Sequence, residues 1–249
     1  MRGEDSGKAR PMFTVLYHSL LIGAALFVPI PLLDERIAIY LWKRMVSDLA
    51  KSHGRTLTKE QVIALSYQSR FSLSEGCLAL LGQLLKAIFR TVFFFLEWRK
   101  AINLATDAYY SGYLLNEVFA YEGFDPARSA QYAIVMQKAK EGVSTKLVQG
   151  VFRSHFRSSK GVLLSLGKWL SSITVGYARD SWARRRRKKS DGATEEQMEN
   201  FFEMHKTRFQ TLLQDLMESV QSGIGALPKE HFEELRNRLF EELRRLETT

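Results

Sequence analysis

GAALFVPIPLLDERIAIYLWKRMVSDLAKSHG, residues 23–54, decides the fold class. An apolar run meets Pro29 and Pro31, whose fixed φ angles and missing N–H donors stop a helix. Asp34 follows, placed to accept the orphan N–H groups of a second helix. Ile37, Leu41, Met45 and Leu49 then recur every four residues, with Tyr40, Val46 and Ala50 beside them. Arg36, Lys43, Arg44 and Lys51 face away, which is the pattern of an amphipathic helix. Gly54 closes it. Helix, turn and helix repeat along the chain, and no strand-like alternation of any length occurs. The expected fold is all-α: a hydrophobic multi-helix body with a C-terminal αα-hairpin.

Upstream, residues 13–33 contain no Asp, Glu, Lys or Arg. As helix they would cover about 30 Å, enough to span a bilayer. The prolines should end the helix near Phe27 or Val28, leaving roughly 25 Å with His18 inside it. That length suits a re-entrant segment, an interfacial one or a buried core helix. Residues 1–10 read as a polar tail. No small-residue cleavage site follows the apolar run, so a removed signal peptide is not expected.

Downstream, Thr58 to Gln61 reads as a capping box opening a helix over residues 60–69. Residues 78–96 form a second apolar stretch, interrupted by Lys86 and Arg90. Its large apolar side chains favour insertion by about 0.3–0.6 kcal/mol each, and each central cation opposes it by about 2.5–3.5 kcal/mol, so hydropathy does not decide. Residues 99–119 continue as helix, with Tyr109, Tyr110 and Tyr113 within about one turn. Asp125 and Pro126 start the next helix, over residues 127–139. Val143, Leu147, Val151, Phe152 and Phe156 then mark an apolar face, with Lys146, Arg153, Arg157 and Lys160 together on the other side. Residues 162–177 are a third apolar helix.

Trp169 and Trp182 lead to the basic run Arg184, Arg185, Arg186, Arg187, Lys188 and Lys189. A second capping box, Thr194 to Gln197, opens a helix to about residue 221. After a turn at residues 223–228, Phe232, Leu235, Leu239, Leu243 and Leu246 follow near heptad spacing. The expected division is a tail (1–10), a hydrophobic helical domain (11–182), a basic linker (183–193) and an amphipathic hairpin (194–249).

Charge divides along the same line. The whole chain carries +9, but residues 1–193 carry +14 and residues 194–249 carry −5. A basic body points to an anionic partner, either membrane phospholipid or nucleic acid. The single cysteine, Cys77, allows no internal disulfide and no cysteine-based zinc site.

Residues 23–54 resemble the helical domain of the YcjF/EcsC-like bacterial proteins. The features shared are the hydrophobic helix, the Pro29, Pro31 and Asp34 element, the aliphatic positions Leu41, Met45, Leu49 and Ala50, and the closing Gly54. Residues 101–107, AINLATD, are similar to a later segment of that family. The resemblance covers part of the chain only. It implies an all-α, membrane-associated bacterial protein of poorly defined function, with no catalytic residues to carry over; the expected location is the cytoplasmic side of the bacterial inner membrane, peripheral or partly inserted, with the cytoplasm as the alternative. The chain departs from the family in its cation-interrupted apolar runs, its basic run and its acidic hairpin.

Enzyme motifs are missing. The five histidines, His18, His53, His155, His205 and His231, show no ligand spacing. There is no phosphate-binding glycine loop and no nucleophile elbow. No cofactor, metal or catalytic residue is therefore expected. Asp107, with Tyr109, Tyr110 and Tyr113, reads as a buried polar group in an apolar helix. A buried carboxylate needs a partner, for which Arg99, Lys100 or a tyrosine are at hand.

The basic run and the Lys146, Arg153, Arg157 and Lys160 face read as contacts for anionic lipid or phosphate. Each cation near an anionic leaflet contributes about 1 kcal/mol. Base-reading features of a nucleic-acid binder are absent. The leading expectation is a non-enzymatic scaffold or accessory subunit held at an anionic membrane surface. Its C-terminal hairpin would meet a protein partner or a second copy. The alternatives are a soluble all-α interaction adaptor whose apolar helices form an ordinary core and, ranked below it, a nonspecific nucleic-acid-binding protein.

Overall fold

The apolar run after Pro11 becomes the centre of the molecule. The computed structural model describes residues 5–26, 33–66, 90–162, 165 and 192–248. Among these residues the secondary structure is helical, with no strand. The helices are α1 (Asp5–Ala25), α2 (Leu33–Ser52), α3 (Lys59–Ser66), α4 (Arg90–Ala120), α5 (Ser129–Glu141), α6 (Lys146–Ser158), α7 (Gly192–Gly225) and α8 (Lys229–Glu247), with a 3-10 turn at Pro126–Arg128 before α5. The Pro29 and Pro31 turn, residues 78–89, most of the apolar helix expected over 162–177, and the basic run Arg184 to Lys189 lie outside the described residues.

α1 is buried on every side from Val15 to Ala25. A helix that is apolar all round has no face to give to water and must be enclosed. α4, α2 and α7 enclose it. Of the three expectations for this run, the structure takes the buried core helix. No helix of the described residues is long and apolar enough to cross a membrane. α1 also begins earlier than expected, at Asp5, inside the segment read as a polar tail. Pro11 sits within it. Proline's φ is already helical, so the cost is one lost hydrogen bond and a local clash rather than a necessary stop.

α1 and α4 cross antiparallel at close range. Gly23 lies against the start of the contact on α4, where an added Cβ would sit 2.9 Å from the Ala101 carbonyl oxygen and 2.9 Å from the Ala105 Cβ. Farther along α4, a Cβ at Gly112 would sit 2.7 Å from Val15 Cγ1 and 3.1 Å from Met45 Sδ. The backbones approach because these two positions carry no side chain. Two buried hydroxyls in this contact are satisfied locally: Ser19 Oγ donates to the Val15 carbonyl and Thr106 Oγ1 to the Ile102 carbonyl, each at 2.7 Å.

α2 starts at Leu33, which puts Asp34 inside its first turn rather than ahead of it. α2 ends as expected. Gly54 takes φ 66°, the Arg55 N–H reaches the Ala50 carbonyl at 2.8 Å, and the Gly54 N–H reaches the Lys51 carbonyl at 3.0 Å. This is the Schellman arrangement that a C′ glycine permits. Arg55 then caps α4 across the molecule, donating to the carbonyls of Phe119 (3.4 Å) and Tyr121 (3.2 Å). The capping box is present at α3: the Thr58 N–H meets Gln61 Oε1 at 2.8 Å and the Gln61 N–H meets Thr58 Oγ1 at 3.4 Å.

α7 and α8 are joined by the expected short turn, and α7 starts at Gly192, so Thr194 lies within its first turn. The buried apolar side chains of both helices pack on the body. α7 packs on α6 and α1 through Phe209, Leu213, Leu216 and Val220; α8 packs on α5 and α4 through Leu235, Leu239 and Leu243.

The α1–α4 contact makes a paired test. Gly23→Ala should lower stability by about 1–3 kcal/mol, because the clash is with backbone that cannot yield cheaply. Gly150→Ala, at an exposed position of α6 with nothing within 4 Å of the new Cβ, should raise it by about 0.5–1 kcal/mol. Urea unfolding of the two variants checks both signs.

Candidate functional site

α6 carries the first candidate surface. Val148, Phe152 and Phe156 recur every four residues and are buried between α4 and α7. That stripe fixes the helix's rotation, and so turns Lys146, Arg153 and Arg157 outward. All three are exposed, as is Lys160 just beyond the helix. Spacings of seven and four residues place the three cations in one row. Lys146, Arg153 and Arg157 form no ion pair with any described residue. α6 itself contains no acid. Other cations of the fold are used internally: Arg236 on Glu117, Lys138 on Glu242, Arg128 on the Leu246 carbonyl. Arg184, Arg185, Arg186, Arg187, Lys188 and Lys189 lie outside the described residues.

The second candidate, around Asp107, resolves into two separate packing features. Asp107 is not buried. Its side chain keeps 34% exposure and pairs with Lys140 of α5 at 2.6 Å, not with Arg99, Lys100 or a tyrosine. The same Lys140 Nζ donates to Ser111 Oγ at 3.1 Å. The helix explains the correction: Asp107 lies two turns past Arg99 and Lys100, roughly 10 Å along the axis, and meets the last turn of α5, which brings in Lys140.

Tyr109, Tyr110 and Tyr113 face α8 and α6. Tyr109 makes edge contacts with Tyr110, Phe152 and Phe232, and Tyr113 lies against Phe232. Burial pushes all three phenols up, Tyr113 to about 12, where Glu117 adds to the rise and Arg236 opposes it. Tyr110 Oη is 2.6 Å from His231 Nε2 in the interior. Burial pulls His231 below its ordinary value, with Glu234 acting the other way.

A third cluster was not grouped by sequence reading. His18, buried on α1, places Nε2 3.0 Å from Asp48 Oδ2 on α2. Arg44, one turn before Asp48, approaches the same carboxylate at 3.7 Å, donates to Tyr40 Oη at 3.0 Å and pairs with Glu203 of α7. Burial pushes the Asp48 carboxyl up, but the His18 hydrogen bond and the charges of His18, Arg44 and Lys51 outweigh it and hold it below its usual range. Burial also pushes the Tyr17 and Tyr40 phenols up. A cavity of about 220 Å³ opens here, lined by Phe13, Tyr17, His18, Arg44, Asp48 and Gln210 among others.

The sequence signal was a histidine inside a charge-free run, facing an Arg–Asp pair four residues apart. Glu203 is 159 positions from Arg44, so nothing local announced it. The cluster sets the Arg44 guanidinium beside the His18–Asp48 hydrogen bond in the lining of this cavity. His53 bonds Asn116 and His155 bonds Ser219, each at 2.8 Å. Among the described residues, no group of three or more His, Cys, Asp or Glu converges to hold a metal ion.

The buried Tyr110–His231 pair sets a pH dependence. A base whose folded value is depressed binds fewer protons folded than unfolded, so stability rises with pH across that window. The contribution is complete above about pH 6.5 and is lost as pH falls below it. His231→Gln should remove this part of the acid-side loss. The difference in urea midpoint between pH 7.5 and 5.5, compared between wild type and variant, reads it; equal differences would show that His231 carries none of it. Comparison of the chain with family models, with curated proteins and with solved structures returns no match.

Proposed function

We propose that the chain is a non-enzymatic, all-α scaffold or accessory protein held at an anionic membrane surface. The observation carrying this reading is the α6 row, in which Lys146, Arg153 and Arg157 are exposed and committed to no described carboxylate. Basic side chains on a rigid helix face add about 1 kcal/mol each at an anionic leaflet. The basic run Arg184 to Lys189 follows α6 in sequence and would extend the same contact. The resemblance of residues 23–54 to the YcjF/EcsC-like proteins supports the same reading, including a position on the cytoplasmic side of a bacterial inner membrane. Contact would be peripheral for the described helices, because α1 spends its apolar surface on α2, α4 and α7. A protein partner, or a second copy, would meet the outer faces of α7 and α8, where Met204 and Leu212 are exposed.

One observation favours a second reading. Complete burial of residues 15–25 is what an ordinary core helix shows, as in an interaction adaptor with no membrane contact. The two readings separate in a vesicle flotation assay. The first expects wild type to float with vesicles containing phosphatidylglycerol, to be released by salt, and not to float with phosphatidylcholine alone. Replacing Lys146, Arg153 and Arg157 together by glutamine should weaken binding about a hundredfold. Absence of flotation by wild type supports the adaptor. Binding to duplex DNA with affinity equal to that for vesicles would move the anionic partner to nucleic acid.

A further inference from the structure

α2, α3 and α7 enclose a groove of about 710 Å³. That is the size of a site for one small organic ligand. Its two sides differ in chemistry. Ala50, Leu57, Val62 and Ile63 form an apolar wall, on which Ile63 keeps 41% exposure. Lys43, Arg44, Lys51, Arg55 and Lys59 bring five cations to the lining, against the three carboxylates of Asp48, Glu199 and Glu203. Asp48 is bonded to His18 on the α1 side at 3.0 Å and stands farther from Arg44, at 3.7 Å. Glu203 reaches in from α7 to pair with Arg44, whose side chain is only 13% exposed. The groove therefore already holds a carboxylate on its innermost cation, and the chain itself supplies it.

We infer that this groove binds a single-chain anionic amphiphile: a phosphate or carboxylate head on an alkyl chain. The head takes the place of Glu203 at Arg44, with Lys51 and Lys59 beside it. A guanidinium is a planar fork that matches either head, and it acts more strongly where solvent is partly excluded. The chain lies along Leu57, Val62 and Ile63, removing their apolar surface from water. Glu203 is the internal competitor that neutralises Arg44 while the groove is empty. The site shares no residue with the α6 row and does not rest on the surface reading, because its ligand is one dissolved molecule and not a bilayer.

The test titrates decyl phosphate, kept below its critical micelle concentration, into the full chain by calorimetry. Decanoate and inorganic phosphate form parallel arms. A single saturable site for decyl phosphate is expected, with inorganic phosphate weaker by about tenfold or more because it lacks the apolar arm. Decanoate binding as tightly as decyl phosphate would show that charge, not the phosphate group, is recognised, and would keep the proposal; neither amphiphile binding would overturn it.

Lys51→Glu and Ile63→Glu each change an exposed position, so the fold is retained, as circular dichroism verifies. Each should weaken decyl phosphate about tenfold. Glu203→Gln should tighten it about threefold by removing the competitor. The Lys146, Arg153 and Arg157 glutamine variant should bind decyl phosphate as wild type does, whatever its behaviour on vesicles. Unsaturable uptake, no change on groove substitution, or weaker binding by Glu203→Gln would overturn the assignment.

Discussion

Gly23 and Gly112 set the distance at which α1 and α4 cross, and the other described helices are arranged around that crossing. α1 can be apolar on every side only if neighbours reach it on every side. α4 reaches it at backbone range, α2 packs beside it, and α7 returns from the far end of the chain to cover what is left. A side chain at either glycine would push α4 outward and open a gap along Val15, Leu20 and Ile22. Interiors packed to crystal-like density forfeit dispersion contacts steeply when such a gap opens. The same closeness explains why the buried polar atoms of this contact are hydroxyls that bond back to their own helix. No second backbone group has to be supplied for Ser19 or Thr106.

Charge is arranged on top of that core. The C-terminal helices carry the excess acid of the sequence, and part of it is returned to the basic body: Glu203 to Arg44, Glu242 to Lys138, and Glu247 to Tyr121. Arg55 and Arg128 are used on the carbonyl ends of α4 and α8, where the helix dipole is negative. These contacts are partly exposed, and single pairs of this kind contribute about 0–1 kcal/mol. They fix register more than they add stability. Among the described cations, Lys146, Arg153 and Arg157 on the outer face of α6 enter none of these pairs.

Local structure was largely legible in the sequence, because its causes are local. Gly54 had to be a cap, since only glycine adopts φ 66° there at no cost. Thr58 and Gln61 had the spacing of a capping box and formed it. Leu235, Leu239 and Leu243 announced the buried face of α8. What escaped were the pairings between distant segments. Asp107 finds Lys140, Tyr110 finds His231 and Arg44 finds Glu203 at separations of 33, 121 and 159 residues. No periodicity encodes these separations. The start of α1 also escaped: residues 1–10 read as a polar tail, and the helix begins at Asp5 and runs through Pro11.

The row on α6 is where the fold gives most and receives least. Arg153 and Arg157 are like charges four residues apart on one helix face, an arrangement that costs an isolated helix a few tenths of a kcal/mol. Val148, Phe152 and Phe156 more than offset this, since each buried side chain contributes about 1.5–3 kcal/mol. The helix therefore forms whether or not its outer charges find partners. A fold under no other constraint could relieve the repulsion with one acid in the row, as Glu234 and Arg238 do on α8. α6 contains none. A partner with dense negative charge turns that unrelieved repulsion into attraction, and it needs no change in the core to do so.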